Sequence, residues 1–329
     1  MEPASGFNLR ALTRARRQPT INTSQGACWS FREPLLEGTE IASPEALALT
    51  MVQIPAGRFL MGSPPEEPNH DDDEGPQQEV ELESFFISQT PITQAQWREV
   101  AGWQPRGAER WGRELDPEPS FFQPRSNPKA RSWGDARFSL LEGEASSDQR
   151  PVENVSWLEA MEFCSRLSQR SGCHYTLASE AQWEYACRAQ SDTPFHFGET
   201  ITSQLANYDG NSTYANGPKG EYRQQTTPVG MFPASAWGLQ DMHGNIREWC
   251  LDQWHDSYEG APRDGSAWLK AAEGNDKDGD SRRLLRGGSW NNCPWYCRSA
   301  YRFRSRPGGA DDGVGFRVVC LPQDPSLNL

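Results

Sequence analysis

Glycine or proline interrupts this chain about every six residues, with 29 Gly and 25 Pro among 329 residues. Each costs a helix interior roughly 1 kcal/mol (Gly) or 3 kcal/mol (Pro) relative to alanine, which excludes an architecture of long helices. The chain must be assembled from short elements joined by irregular backbone, and thirteen Trp supply large apolar anchors for it. Three helix starts are nevertheless clear. Thr93-Gln94-Ala95-Gln96, Ser156-Trp157-Leu158-Glu159 and Ser179-Glu180-Ala181-Gln182 each place a hydroxyl three residues before Glu or Gln. In that capping box the two side chains satisfy each other's orphan amides. The second helix puts Trp157, Ala160, Met161, Cys164 and Leu167 on one face and stops at Gly172. "MVQIPAGRFLMGS", turning at Ala56-Gly57, and "VELESFFISQTPIT" read as strand regions.

The formal charge of −13 argues against nucleic-acid and anionic-membrane partners, which need a basic face. No apolar run reaches spanning length, and "MEPASGFNLRALTRARRQPT" lacks the apolar region of a secretory signal. The expectation is a cytoplasmic protein with reduced thiols, its eight cysteines lacking zinc-type CxxC pairs. Residues 1–48 read as an N-terminal extension that packs on the main domain or meets a partner through the basic helix "NLRALTRARRQ". Residues 49–329 read as one domain. Within it, "EEPNHDDDEGPQQE" reads as a solvated acidic loop despite the metal-like look of His70 beside three aspartates. Residues 104–150 read as an irregular surface insertion.

Residues 285–320, "LRGGSWNNCPWYCRSAYRFRSRPGGADDGVGFRVVC", combine two kinds of sequence. One is a frame: Arg286-Gly287-Gly288-Ser289, Arg298-Ser299-Ala300-Tyr301-Arg302 and Gly315-Phe316-Arg317. The other fills its gaps with Asn291, Asn292, Cys293, Trp295, Tyr296, Phe303, Ser305, Arg306, Asp311, Asp312 and Val314, which follow no secondary-structure period. Trp, Tyr and Arg anchor interfaces because they bury area at low entropic cost, and Asn, Ser and Asp give adaptable polar contacts. The competing reading makes Trp295, Tyr296 and Phe303 ordinary core aromatics.

Six phrases, taken together, resemble the formylglycine-generating-enzyme (sulfatase-modifying factor) family. They are "MVQIPAGRFLMGS", "TPITQAQW", "RPVENVSWLEAMEFCSRLS", "YTLASEAQWEYACRA", "WGLQDMHGNIREW" and "LRGGSW…RSAYR…GFRVV", covering residues 49–320. The resemblance implies an α+β, C-type-lectin-type fold with two main helices, short twisted sheets and much irregular chain. Its catalytic members oxidise a substrate cysteine with copper held by two cysteines, the first three residues past the Gly-Gly-Ser serine. Here that position is Asn292, the second falls on Pro294, and Cys293 and Cys297 stand four apart. Neither catalytic cysteine is matched, so no copper is expected. A branch that joins sulfur to histidine derivatives with non-haem iron needs three His from an added N-terminal helical domain, and residues 1–48 hold no histidine.

A third group with this fold, the variable proteins of diversity-generating retroelements, resembles the chain in "GGSWNN.P..CRSAYR.R..P" and "GFRVV". Their variable segment is rewritten at template adenines, usually in Asn codons, which cannot yield Lys, Glu, Gln, Met or Trp. Residues 290–314 contain no Lys, Glu, Gln or Met, and Trp295 is the departure. The resemblance therefore implies a non-enzymatic ligand-binding protein with variable region 286–320, whose ligand is a protein or other macromolecule. A copper oxidase acting on cysteine, with Cys293 and Cys297 as a redrawn site, is the rival, and a regulatory or scaffold module the third reading. The same resemblance implies structural calcium. One set is Asp241 and Glu248 by side chain with Gly244 and Ile246 by carbonyl; the second is Asn207, Tyr208, Glu221 and Arg223. The alternative for the first set is a turn and strand whose acids are solvated or paired with Arg247.

Overall fold

In the computed structural model, which describes residues 21–23, 29–36, 47–124, 140–141, 146–269 and 282–321, the three capping boxes begin three helices. They are α1 (Gln94–Gly102), α2 (Trp157–Ser171) and α3 (Glu180–Arg188). In each, the hydroxyl of Thr93, Ser156 or Ser179 accepts the amide three residues on, and the Gln or Glu there accepts the cap's own amide. Gly172, at φ +76°, ends α2 in the left-handed conformation that favours glycine. Three helices, rather than the two main ones implied by the family resemblance, carry the fold.

The strands are β1 (Ile21–Thr23), β2 (Trp29–Pro34), β3 (Ala48–Ile54), β4 (Gly57–Met61), β5 (Gln78–Leu82), β6 (Phe85–Ser88), β7 (Gln123–Pro124), β8 (Leu140–Leu141), β9 (His174–Leu177), β10 (Arg247–Gln253), β11 (Arg283–Arg286), β12 (Phe303–Ser305), β13 (Val314–Gly315) and β14 (Val318–Leu321). An antiparallel sheet runs β1-β2-β3-β6-β14-β9, with β14 between β6 and β9. A second sheet runs β12-β11-β10-β13, its β10–β13 edge parallel. The pairs β4–β5 and β7–β8 stand apart. The α2 face packs Ala160, Phe163, Cys164 and Leu167 into the larger core. There Phe163 stacks on Trp97 of α1 at 5.7 Å and meets Phe316 edge-on at 5.3 Å. A second core gathers around Trp183, Tyr185 and Trp237.

Residues 29–36 of the expected extension pack on the main domain, one of the two roles expected for it: β2 pairs with β3 from Ser30↔Val52 to Pro34↔Ala48, and Phe31 and Leu35 lie in the larger core. The basic helix expected over residues 8–18 lies outside the described residues. The segment from residue 104 is irregular and largely at the surface over 104–114, but it is anchored beyond that: Leu115 and Phe122 are buried, and the Glu153 carboxylate accepts both the Phe121 and Phe122 amides at 3.0 Å.

Buried ion pairs fasten residues 285–320 to the rest. Arg286 donates to Glu180 (2.7 Å) and Glu184 (2.6 Å), and Arg302 grips Glu180 with two hydrogen bonds at 2.7 and 3.1 Å. Arg298 donates to Glu67 and to both oxygens of Glu74, and Arg317 holds both oxygens of Glu248. The loop expected to be merely solvated thus supplies Glu67 and Glu74 as counter-charges. Burial works to raise the Glu180 carboxyl, but Arg302 and Arg286 outweigh it and hold the group below its ordinary value.

Removing one partner of such a pair leaves a buried uncompensated charge. Glu74→Gln is therefore expected to cost about 3–5 kcal/mol in urea unfolding. Glu79→Gln, at the exposed pair with Arg58, should stay within about 1 kcal/mol. Equal losses would contradict the assignment of the buried pairs as the fastening.

Candidate functional site

The gap residues rest on a loop whose backbone only glycine permits. Gly287 and Gly288 have φ of +95° and +71°, and a Cβ on Gly288 would stand 2.6 Å from Cys297 Sγ and 2.7 Å from the Tyr296 carbonyl oxygen. That close approach carries the chain under the 3-10 turn Pro294–Cys297. His243 supports the turn from below: its Nδ1 lies 2.7 Å from the Cys297 carbonyl and its Nε2 lies 3.1 Å from the His196 amide nitrogen. Only the Nδ1–H tautomer satisfies both. Burial holds His243 neutral, pushing its pKa well below the usual histidine value, and pushes His196 down to about 4.

The structure divides the segment by exposure. The frame side chains Arg286, Ser289, Arg298, Ser299, Arg302, Phe316 and Arg317 are buried. Asn291, Phe303, Arg306 and Asp311 are exposed, and Cys293, Trp295, Tyr296, Ser305 and Asp312 are half-buried. Two expected surface residues are not there. Val314 is 2% exposed because it forms β13 and packs in the larger core. Asn292 is 8% exposed because its Oδ1 accepts the Ser289 amide (3.0 Å) and closes the loop.

Half-buried Trp295, Tyr296 and Tyr301 form a row, with ring centroids 5.6 Å apart and then 4.9 Å apart. Arg247 lies beside Tyr301 and Asp312, and its guanidinium sits 4.6 Å from the centre of the Phe303 ring. At the other end Cys293 approaches Ser212 (3.7 Å), and Tyr222 stacks on Trp290. Arg304, on the opposite face of β12 from Phe303, lies over Trp254 at 4.6 Å. The sequence reading missed Arg247, Tyr222, Tyr301 and Ser212 as members of this neighbourhood. Arg247 and Tyr301 carried a signal, since both fall inside family-like phrases.

Cys293 and Cys297 differ in chemistry. Cys297 is fully buried in a cluster with Phe195, Ile201 and Tyr208, and burial pushes its thiol up to about 12. It is a poor source of the thiolate that copper needs. The implied calcium sets also fit poorly. Glu248 spends both oxygens on Arg317 and also accepts the Trp183 indole N–H, so the positive charge beside it belongs to the protein. The Gly244 carbonyl accepts the Ile246 amide, and the Tyr208 hydroxyl donates to the Ile201 carbonyl. Exposed Glu221 pairs with Arg223 at 3.0 Å. Asp241 Oδ1 and Asn207 Oδ1 are buried oxygens without a partner, Arg223 adds a buried unpartnered guanidinium nitrogen that would repel a cation, and no cluster of three metal-ligating side chains occurs among the described residues. Burial pushes the Asp241 carboxyl up to about 6, toward a neutral acid.

Comparison with known proteins gives the following. Residues 39–321 match the model of the sulfatase-modifying factor enzyme 1-like domain. The serine/threonine-protein kinase pkn1 of Chlamydia caviae is 31% identical over 297 residues, covering 88% of this chain. This chain spans only 41% of that relative's length. The structure of PvdO from Pseudomonas aeruginosa superposes with a TM-score of 0.62 at 31% identity, covering 83% of this chain and 95% of that one. Variable protein 1 of Treponema denticola gives 0.61 at 23% identity, covering 85% and 98%, a likeness of fold alone. The C-type-lectin-type α+β fold expected from the sequence is thereby shown.

The support beneath the turn makes stability depend on pH. His243 and His196 have folded pKa values below the unfolded value of 6.5, so the unfolded chain takes up protons that the folded chain refuses. Their contribution is complete above that value and declines as pH falls, by up to about 1.4 kcal/mol per pH unit for each histidine. The raised carboxyls of Asp241 and Asp252 act in the opposite sense. The informative quantity is therefore the stability difference between wild type and His243→Asn, which should shrink from pH 7 to about pH 5. A constant difference would rule out a neutral His243 as the support.

Proposed function

The chain belongs to the sulfatase-modifying factor enzyme 1-like family, and from that premise we propose that it is a non-enzymatic ligand-binding protein. Its surface within residues 291–314 is the diversified face of a retroelement variable protein, and it takes a protein or other macromolecular ligand. One observation carries the reading: frame residues are buried and ion-paired while most gap residues reach solvent. A surface that is rewritten must leave stability to other residues, because most changes to buried side chains destabilise. Here the network of Arg286, Arg298, Arg302 and Arg317 is independent of what stands at 295, 296 or 303. Aromatic side chains at those three positions offer rigid contact area, and Asn291 and Asp311 add polar contacts at the rim.

The rival, a formylglycine-generating-type copper oxidase acting on cysteine, requires two thiolates aimed at one point. Fully buried Cys297, with its raised thiol, argues against it. The kinase name of the chlamydial relative belongs to a protein of which this chain spans about two-fifths. No described helix is long and apolar enough to cross a membrane.

The experiment is to sequence the DNA flanking the gene. The expected result is a near-copy of codons 286–320, differing at adenines, beside a reverse-transcriptase gene. Without it, diversification loses its support. In parallel, titration with Cu(I) against a chromogenic chelator should show no tight site. One equivalent of Cu(I) lost in Cys293→Ser, together with aldehyde formation on a cysteine peptide, would establish the oxidase instead.

A further inference from the structure

Arg247 differs from the four frame arginines in its partners. A buried Nε without a hydrogen-bond partner it shares with Arg283 and Arg286. Each of the four meets carboxylates, whereas Arg247 has no salt bridge among the described residues. Scarcity of acid does not explain this, since the chain holds 45 Asp and Glu against 32 Lys and Arg. Its backbone is pinned: Arg247 opens β10, its amide donates to the Gly313 carbonyl at 2.7 Å, and its register partner is Val314. Its guanidinium lies 4.6 Å from the centre of the Phe303 ring, and that ring is 38% exposed. A guanidinium held against an aromatic face keeps its N–H edges free for an acceptor.

Arg247 also borders gap residues on two sides, Phe303 by its guanidinium and Val314 by its backbone register. The Nε is enclosed but Arg247 as a whole is half-buried, so a ligand acceptor would meet its terminal N–H groups. We infer that Arg247 is the fixed anchor of the binding surface, taking a carboxylate of the ligand while the residues around it vary. This rests on the binding reading above and names the chemistry that its ligands share. A planar carboxylate matches the paired N–H groups of a guanidinium. Asp311 and Asp312 nearby oppose a phosphate dianion more than a carboxylate monoanion.

Benzoate, benzamide and inorganic phosphate are the probes, and the readout is the 15N-correlated Arg Nε–H signal assigned to Arg247 by its loss in Arg247→Gln. Benzoate should shift that signal saturably at millimolar concentration, with benzamide about tenfold weaker. In Arg247→Gln, quenching of Trp fluorescence by benzoate should lose its saturable part while the melting curve stays cooperative. Equal shifts by benzoate and benzamide on the wild type, no saturable shift, or unchanged quenching in the variant would overturn the assignment. Saturable binding of phosphate in preference to benzoate would overturn the carboxylate. Benzoate binding without a template copy in the flanking DNA would retain the anchor and remove diversification; a template copy without benzoate binding would do the reverse.

Discussion

Glu180 lies between the guanidinium groups of Arg286 and Arg302, and this buried triad ties the first turn of α3 to two places in the C-terminal segment. Arg298 repeats the device with Glu67 and Glu74, and Arg317 with Glu248. In this segment the short strands β11, β12, β13 and β14 are laddered, and the chain between them is irregular. Buried, multiply hydrogen-bonded charges fasten it, because an arginine misplaced by a few ångströms would leave an uncompensated charge in a low-dielectric interior. Specificity of conformation, more than net stability, is the physical gain assigned to the network here.

The same fastening separates two jobs along one stretch of chain. Side chains that hold the loop are buried at 286, 298, 302 and 317, Phe303 is exposed, Tyr296 is half-buried, and half-buried Trp295 packs against the Cys297 cluster. Gly287 and Gly288 permit the backbone to pass beneath the Pro294–Cys297 turn, and neutral His243 holds that turn by its last carbonyl. The candidate surface is thus held by buried parts beneath it, which would lower the ordering cost of the binding proposed above. Arg247 belongs to neither group: its backbone is part of the sheet, yet its guanidinium meets no carboxylate among the described residues.

Much of this was legible in the residues themselves. The capping boxes at Thr93, Ser156 and Ser179 are local codes, satisfied by atoms three residues apart, so they hold in any surroundings. The alternation in β5, buried at Gln78, Val80 and Leu82, is equally local. The family-like phrases carried the fold, and the contrast of frame and gap carried the candidate surface. Val314 and Asn292 escaped that contrast because reachable codons say nothing of burial: one is held by a strand pair, the other by the Ser289 amide.

What the sequence determined alone was everything settled within a few residues: helix starts, strand alternation, the glycine turns and the contrast that marks out the candidate segment. Tertiary structure alone decided partnership. Glu67 and Glu74 look like members of a solvated acidic loop until Arg298, more than two hundred residues away, arrives between them. Glu248 looks like a calcium ligand until Arg317 occupies both its oxygens. Charge pairing acts through space, and a carboxylate's role is set by whichever cation the fold brings within about 3 Å. That is why the acids were visible in the sequence and their functions were not.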